Sequence, residues 1–266
     1  MRTAEYTKLE GRLVLLAWLN HLLGYKRNRD LLEDTKNTAE GFDATGHSFL
    51  YHHLIGRGSQ VKIPEGDLAC YDENVRAHLA AINQNRPDPI TLRYFQYLAA
   101  LYAEIFLDRY FNARRQMVAD LNAFVQQRNA AKLRGEPKDE LFTQDDLTKL
   151  AYWMATGSGK TLIMHLNYYQ FLHYNNEPLD NILLITPSEG LSEQHLRELA
   201  LSGIPARRVD LNQTSLLRTP GEVQVLEITK LVDEKRGGGV SVPVEAFEGR
   251  KLIFVDEGHK LSLIHI

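Results

Sequence analysis

Ala155-Thr156-Gly157-Ser158-Gly159-Lys160-Thr161 follows an apolar run at residues 150–154 and opens a helical pattern over 160–174. Strand, glycine-rich turn and helix in that order are the context in which such a string becomes a physical statement. Gly157 and Gly159 let the backbone enter conformations closed to residues with a side chain. Several N–H groups can then converge on phosphate oxygens at a helix start, which is an anion nest. Lys160 reaches the β- and γ-phosphates as a point charge, and the Thr161 hydroxyl helps hold Mg²⁺. Nucleotide contact is therefore expected at Ala155, Thr156, Gly157, Ser158, Gly159, Lys160 and Thr161. One position departs from the general pattern: glycine is expected six residues before the lysine, and Met154 stands there.

Downstream of residue 150, short apolar runs alternate with helical patterns, which signals βαβ units and a mostly parallel sheet. Strands are expected at 150–154, 182–186, 208–211, 223–228 and 252–256, with helices at 160–174 and 191–201 and a flexible turn at Gly237 to Gly239. Upstream the texture is helical. Residues 5–23 place Leu9, Leu13, Leu16, Leu19 and Leu23 at helical spacing, and Gly24 stops that helix. A charged stretch at 26–34 reads as a solvated face, and a loop runs to Gly46. Helical patterns return at 71–82 and 91–132, parted by the two prolines of 84–89, and the aromatics of the latter read as core. Residues 134–146 read as a loop. The fold class expected is α/β: a helical region at 1–90, then a nucleotide-binding domain at 91–266 with a helical insertion at about 102–146.

The run Lys251-Leu252-Ile253-Phe254-Val255-Asp256-Glu257-Gly258-His259 is an apolar strand carrying two carboxylates to its C-terminal end. In a parallel sheet that end is the ligand edge. Asp256 suits Mg²⁺, and Glu257 suits orientation or deprotonation of an attacking water. Two solvated acids at a strand end are the plain alternative, and pairing with the phosphate loop favours the functional one.

The chain has 266 residues, 44% apolar and 24% charged, with a net charge of −3. That is ordinary for a folded protein and carries no global basic footprint, so contact with nucleic acid must use a local face. A single cysteine, Cys70, excludes an internal disulfide, fits a reducing compartment, and reads as a small core residue. The apolar stretch at 13–19 is far shorter than the roughly 20 residues of a membrane span and lacks a signal cleavage site. A cytoplasmic protein without membrane contact is expected.

These motifs in this order resemble the superfamily-2 helicases, and within them the branch of motor subunits of type I and type III restriction enzymes. Met154 to Thr161 is similar to motif I of that branch, where the unusual first position is tolerated. Asp256-Glu257-Gly258-His259 is similar to the DExH (DEAH-box) form of motif II, and Asp256 lies 96 positions after Lys160. Thr186-Pro187-Ser188 with Leu191 and Gln194 resembles motif Ia, and Glu227-Ile228-Thr229-Lys230-Leu231 resembles the motif after it. Leu92-Arg93-Tyr94-Phe95-Gln96 resembles the adenine-reading motif, although Gln96 precedes Ala155 by an unusual 59 residues. A glutamine simply lying in a helix remains the alternative.

The resemblance implies a RecA-like ATP-binding domain that uses ATP and Mg²⁺. It implies catalytic roles at Lys160, Asp256, Glu257 and His259, an adenine contact at Gln96, and nucleic-acid contacts at Pro187, Ser188, Gln194 and Thr229. DNA is the expected nucleic acid, on family likeness alone, and restriction-modification subunits are the expected partners. The family also implies a second RecA-like domain supplying arginines to the transferred phosphate. The sequence ends ten residues after Asp256, so it reads as an incomplete motor, inactive in isolation. Its last residues, Leu261 to Ile266, match one reading frame of a common transposon-end sequencing adapter and are expected not to be native. Two rivals stand beside the helicase: a P-loop ATPase that never touches nucleic acid, and a nucleotide- or DNA-binding fragment without catalysis.

Overall fold

The computed structural model describes residues 11–209, 219–232, 242–243 and 247–258. Contacts divide the chain into two units, Met1–His78 with Ile90–Tyr174, and Leu79–Pro89 with Asn175–Ile266.

The described part of the first unit is helical. Its elements are α1 (Val14–Leu22), α2 (Asn28–Thr35), α3 (Phe49–Ile55), the first part of α4 (Glu65–Asn83), α5 (Tyr94–Asn112), α6 (Arg114–Ala131) and α7 (Lys160–Tyr174). α1 buries Trp18, Leu19 and Leu22, and Leu23 and Leu31 beyond it are fully enclosed. Each such side chain contributes about 1.5–3 kcal/mol on leaving water. Gly24 ends the helix at φ +84°, where a Cβ would lie 2.5 Å from the Gln60 carbonyl oxygen. Ser48 caps α3 by accepting from the Tyr51 N–H at 2.9 Å. α5 packs against both α6 and α7, so the helix that follows the phosphate loop rests on a buried partner.

Two buried acids tie these helices together. Asp72 of α4 accepts from the Ser48 N–H at 3.0 Å, faces His47 Nδ1 at 3.0 Å and receives the Tyr97 hydroxyl. Glu104 of α5 accepts from Gln170 at 2.8 Å and Tyr174 at 2.7 Å on α7, and from Asn74 at 3.0 Å on α4. Burial pushes the Glu104 carboxyl above its usual range, against the hydrogen bonds that favour its ionised form. Burial likewise holds neighbouring His78 down to about 4, with His173 adding to the effect.

In the second unit β1 (Asn181–Thr186), α8 (Glu189–Leu201), β2 (Ala206–Arg208), β3 (Val223–Glu227) and β6 (Lys251–Val255) follow in that order, with α8 making the crossover after β1. A short parallel pair, β4 (Leu231–Val232) and β5 (Val242–Pro243), lies between β3 and β6 in sequence. The four-stranded sheet has the order β2-β3-β1-β6, every pair parallel. Ile182 stands opposite Val223 on one side and Leu252 on the other. Every residue of β1 and β3 is buried, as the continuous apolar runs of inner parallel strands demand. Leu183, Ile185, Leu226, Ile228 and Phe247 form one core cluster, and α8 packs on β1, β2 and β3. This all-parallel sheet with α8 packed on it, in a chain otherwise rich in helix, is the expected RecA-like α/β class. β6 ends the described order, with Ile253 and Val255 each 43% exposed.

Three expectations need correction. No strand forms at 150–154: residues 149–155 have neither helix nor strand, and Trp153 is 78% exposed. A short apolar run has no periodicity to separate strand from extended chain. The strand expected at 208–211 begins earlier, at Ala206, with Asp210 and Leu211 outside the described residues. Cys70 is exposed rather than core, because α4 turns Leu68, Tyr71 and Val75 inward instead. The charged stretch at 26–34 is largely exposed, as a solvated face should be, and most of it forms α2, which buries Leu31 and Thr35. Residues 5–10 of the first expected helix and the Gly237–Gly239 turn lie outside the described residues. Among the described residues no helix is long and apolar enough to cross a membrane.

Candidate functional site

In the first unit the phosphate loop has the backbone that its glycines permit. Gly157 and Gly159 sit at φ +77° and +90°, a region that costs a residue with a Cβ about 1–2 kcal/mol. Ser158 closes the turn on Ala155, its N–H and hydroxyl donating to that carbonyl at 3.2 and 2.6 Å. Lys160 is the first residue of α7. Its Nζ folds back over the loop to the carbonyls of Ala155 at 3.3 Å and Met154 at 3.5 Å. At the unusual position 154 it is thus the main-chain oxygen that meets the lysine, a contact any residue type supplies. Thr156 and Thr161 flank this turn within the same segment.

Gln96 lies on this loop. From the first turn of α5 its Nε2 donates to the Ser158 carbonyl at 2.9 Å, while its Oε1 accepts from the Arg93 N–H at 3.0 Å. A Cβ on Gly159 would come within 2.5 Å of the same Nε2. Gly159 is therefore needed twice, for its backbone angle and for the space that Gln96 occupies.

The second unit gathers the other candidates at the C-terminal edge of its sheet. Pro187 and Ser188 follow β1, Thr229 follows β3, and Asp256 and Glu257 follow β6. Gln194 stands on the second turn of α8. Ser188, Gln194 and Thr229 are exposed and Pro187 is half-buried. The Asp256 N–H extends the parallel ladder by donating to the Ile185 carbonyl at 3.0 Å. Its carboxylate Oδ2 lies 2.9 Å from His195 Nε2. Glu257 has φ +53°, the one residue other than glycine with positive φ among those described, and strain of this kind clusters at functional sites. His259 lies outside the described residues.

A polar network fixes this edge from beneath. The Thr186 and Ser192 hydroxyls are 2.7 Å apart, and Ser192 donates to Glu227 at 3.1 Å. Glu227 also binds Arg208 Nη2 at 2.7 Å and Lys230. Burial opposes its ionisation, but Lys230, Arg208 and Ser192 outweigh that and hold its carboxyl below the usual range. Sequence motifs pointed to neither His195 nor Arg208. The available signal was the spacing of Ser192 and His195, three apart and hence on one helical face.

Each unit carries an oxygen donor of the kind that hard divalent cations prefer: the Thr161 hydroxyl after the phosphate loop in the first, and the Asp256 carboxylate at the sheet edge in the second. Among the described residues no cluster of three or more His, Cys, Asp or Glu forms a ready-made metal cage. Mg²⁺ fits that pattern, since it is commonly held by one or two protein groups together with substrate phosphates.

A protein-family model, that of the type III restriction enzyme res subunit, matches residues 112–263. Neither the curated proteins nor the solved structures gave a match. Gln96 lies upstream of the matched segment, which contains the phosphate loop, the sheet-edge residues and both acids. Because the match takes in more than half of the 266 residues, the chain belongs to the helicase-like family of the type III restriction enzyme res subunit.

Proposed function

We propose that the chain carries the ATP-hydrolysing part of a DNA translocase or helicase, with residues 91–266 as the motor portion and residues 1–90 as an accessory helical region. The carrying observation is the pairing, within one family-matched segment, of a glycine-flanked lysine at the start of α7 with the Asp256-Glu257 pair at the C-terminal end of β6.

Loop amides from Ala155 to Gly159 cradle the phosphates, Lys160 binds the β- and γ-oxygens, and Gln96 steadies the loop and lies beside the base. Thr161 and Asp256 hold Mg²⁺, which when bound neutralises charge on the phosphate oxygens. Glu257 orients a water and takes its proton as the water oxygen bonds to the γ-phosphorus. The bond from that phosphorus to the bridging oxygen breaks, and ADP leaves. His259 completes the acidic motif. Pro187, Ser188, Gln194 and Thr229 line the edge that meets the nucleic-acid backbone. The exposure and polar character of Ser188, Gln194 and Thr229 support this, since phosphate contacts are made by such side chains and by main-chain N–H groups. The family match supports a restriction-modification role, and subunits of such a system are the partners proposed.

The test is ATP hydrolysis by the full-length protein with and without DNA. Single- or double-stranded DNA is expected to raise the rate at least about tenfold at low salt and less at high salt, because backbone contacts release counterions. Equal rates with and without nucleic acid would transfer the chain to ATPases that act elsewhere. Stimulation by RNA alone would correct the substrate.

A further inference from the structure

Asp256 follows β6, and its carboxylate meets a buried ring. Its Oδ2 is 2.9 Å from His195 Nε2. An ionised carboxylate only accepts, so the ring nitrogen is the donor. His195 is 3% exposed, and its other ring nitrogen, Nδ1, has no hydrogen-bond partner among the described residues. A buried imidazole that forgoes a partner on one side is held by packing and by its bond on the other.

The helix carrying that ring has little freedom. Ser192, one turn earlier on the same face of α8, bonds Thr186 at the end of β1 and Glu227 at the end of β3. Arg208 binds Glu189 on the first turn of α8 at 2.8 Å and Glu227 at 2.7 Å. α8 is therefore fastened at three strand ends, β1, β3 and, through His195, β6. The exposed Gln194 is the residue immediately before this ring.

We propose that His195 is a positioning residue for Asp256: by holding Oδ2 it fixes the rotamer of the carboxylate that serves a divalent cation. Carboxylates that serve metals are themselves held by hydrogen bonds, which fix their rotamer and approach. The same bond makes α8 the element that connects the Gln194 surface to the metal carboxylate. This rests on the Mg²⁺-ATP role given to Asp256 above.

The experiment titrates Mg²⁺ into the full-length protein with a fluorescent ATP analogue at fixed concentration, reading the half-saturating Mg²⁺. His195→Phe keeps the ring volume and lacks the donor, His195→Gln restores an N–H at similar reach, and His195→Ala removes both. The half-saturating Mg²⁺ is expected to rise about tenfold or more in His195→Phe and His195→Ala and to return near the wild-type value in His195→Gln, with analogue affinity in EDTA unchanged. Ser192→Ala loosens the same face of α8 without touching Asp256 and should leave the Mg²⁺ response as in the wild type. A wild-type Mg²⁺ response in His195→Phe overturns the proposal. So does a shift in Ser192→Ala as large as that in His195→Phe, which would mean a general loosening of the helix. Should the wild-type protein itself show no Mg²⁺-dependent binding, the role given to Asp256 fails instead, and the two failures are told apart.

Discussion

Lys160→Ala is expected to remove detectable ATP binding from the full-length protein. Lys160 Nζ rests on two neutral main-chain carbonyls, of Ala155 and Met154, at 3.3 and 3.5 Å. Phosphate oxygens are far better acceptors for an ammonium, since a hydrogen bond between charged groups contributes about 1.5–3 kcal/mol. Losing two such bonds weakens affinity at least about a hundredfold, at ~1.4 kcal/mol per factor of ten. Isothermal titration with Mg²⁺-ATP measures this, and an unchanged affinity in the alanine variant would take the lysine out of the site.

Glu257→Gln should separate binding from chemistry. The amide has nearly the size of the carboxylate but cannot accept the proton of an attacking water. Positioned general bases contribute about 10²–10⁴ in rate, so hydrolysis should fall by about that factor while ATP affinity stays within a few-fold. Glu257 holds φ +53° directly after Asp256. A side chain in that conformation costs about 1–3 kcal/mol and persists where the surroundings impose it. Phosphate release under single-turnover conditions is the readout. Undiminished hydrolysis in Glu257→Gln would assign the proton to another group.

Much of the fold could be read from the chain because buried parallel strands leave a strong trace. β1 and β3 are apolar runs buried on both faces, and both appear where their runs lie. α7 spans Lys160–Tyr174 as its helical spacing predicts. The run at 150–154 is also apolar, yet Trp153 is largely exposed and no ladder forms there. Hydrophobicity alone says that a segment can be buried, and partner strands decide whether it is. α2 and α3 are short, and each is held by tertiary contacts such as those of Leu31 and Leu54, which a local pattern does not record.

The candidate site divides along the same line. Gly157, Gly159, Lys160, Asp256 and Glu257 stand out because each chemistry needs one residue type at a fixed spacing. His195, Arg208 and Glu227 act through contacts 61, 19 and 35 residues away in sequence, to Asp256, Glu227 and Ser192 respectively. No spacing rule reaches that far. Gln96 falls between the two cases: its motif suggested a nucleotide contact, whereas its bond to the Ser158 carbonyl across 62 residues gives it a place on the loop itself.

Lys160 and Asp256 are proposed to serve one Mg²⁺-bound ATP. The most direct test is the gain in ATP affinity on adding Mg²⁺, measured by titration calorimetry in the wild-type protein, Lys160→Ala and Asp256→Asn. A clear gain is expected in the wild type, no binding with or without Mg²⁺ in Lys160→Ala, and metal-free binding with no Mg²⁺ gain in Asp256→Asn. A full Mg²⁺ gain in Asp256→Asn would contradict that shared role.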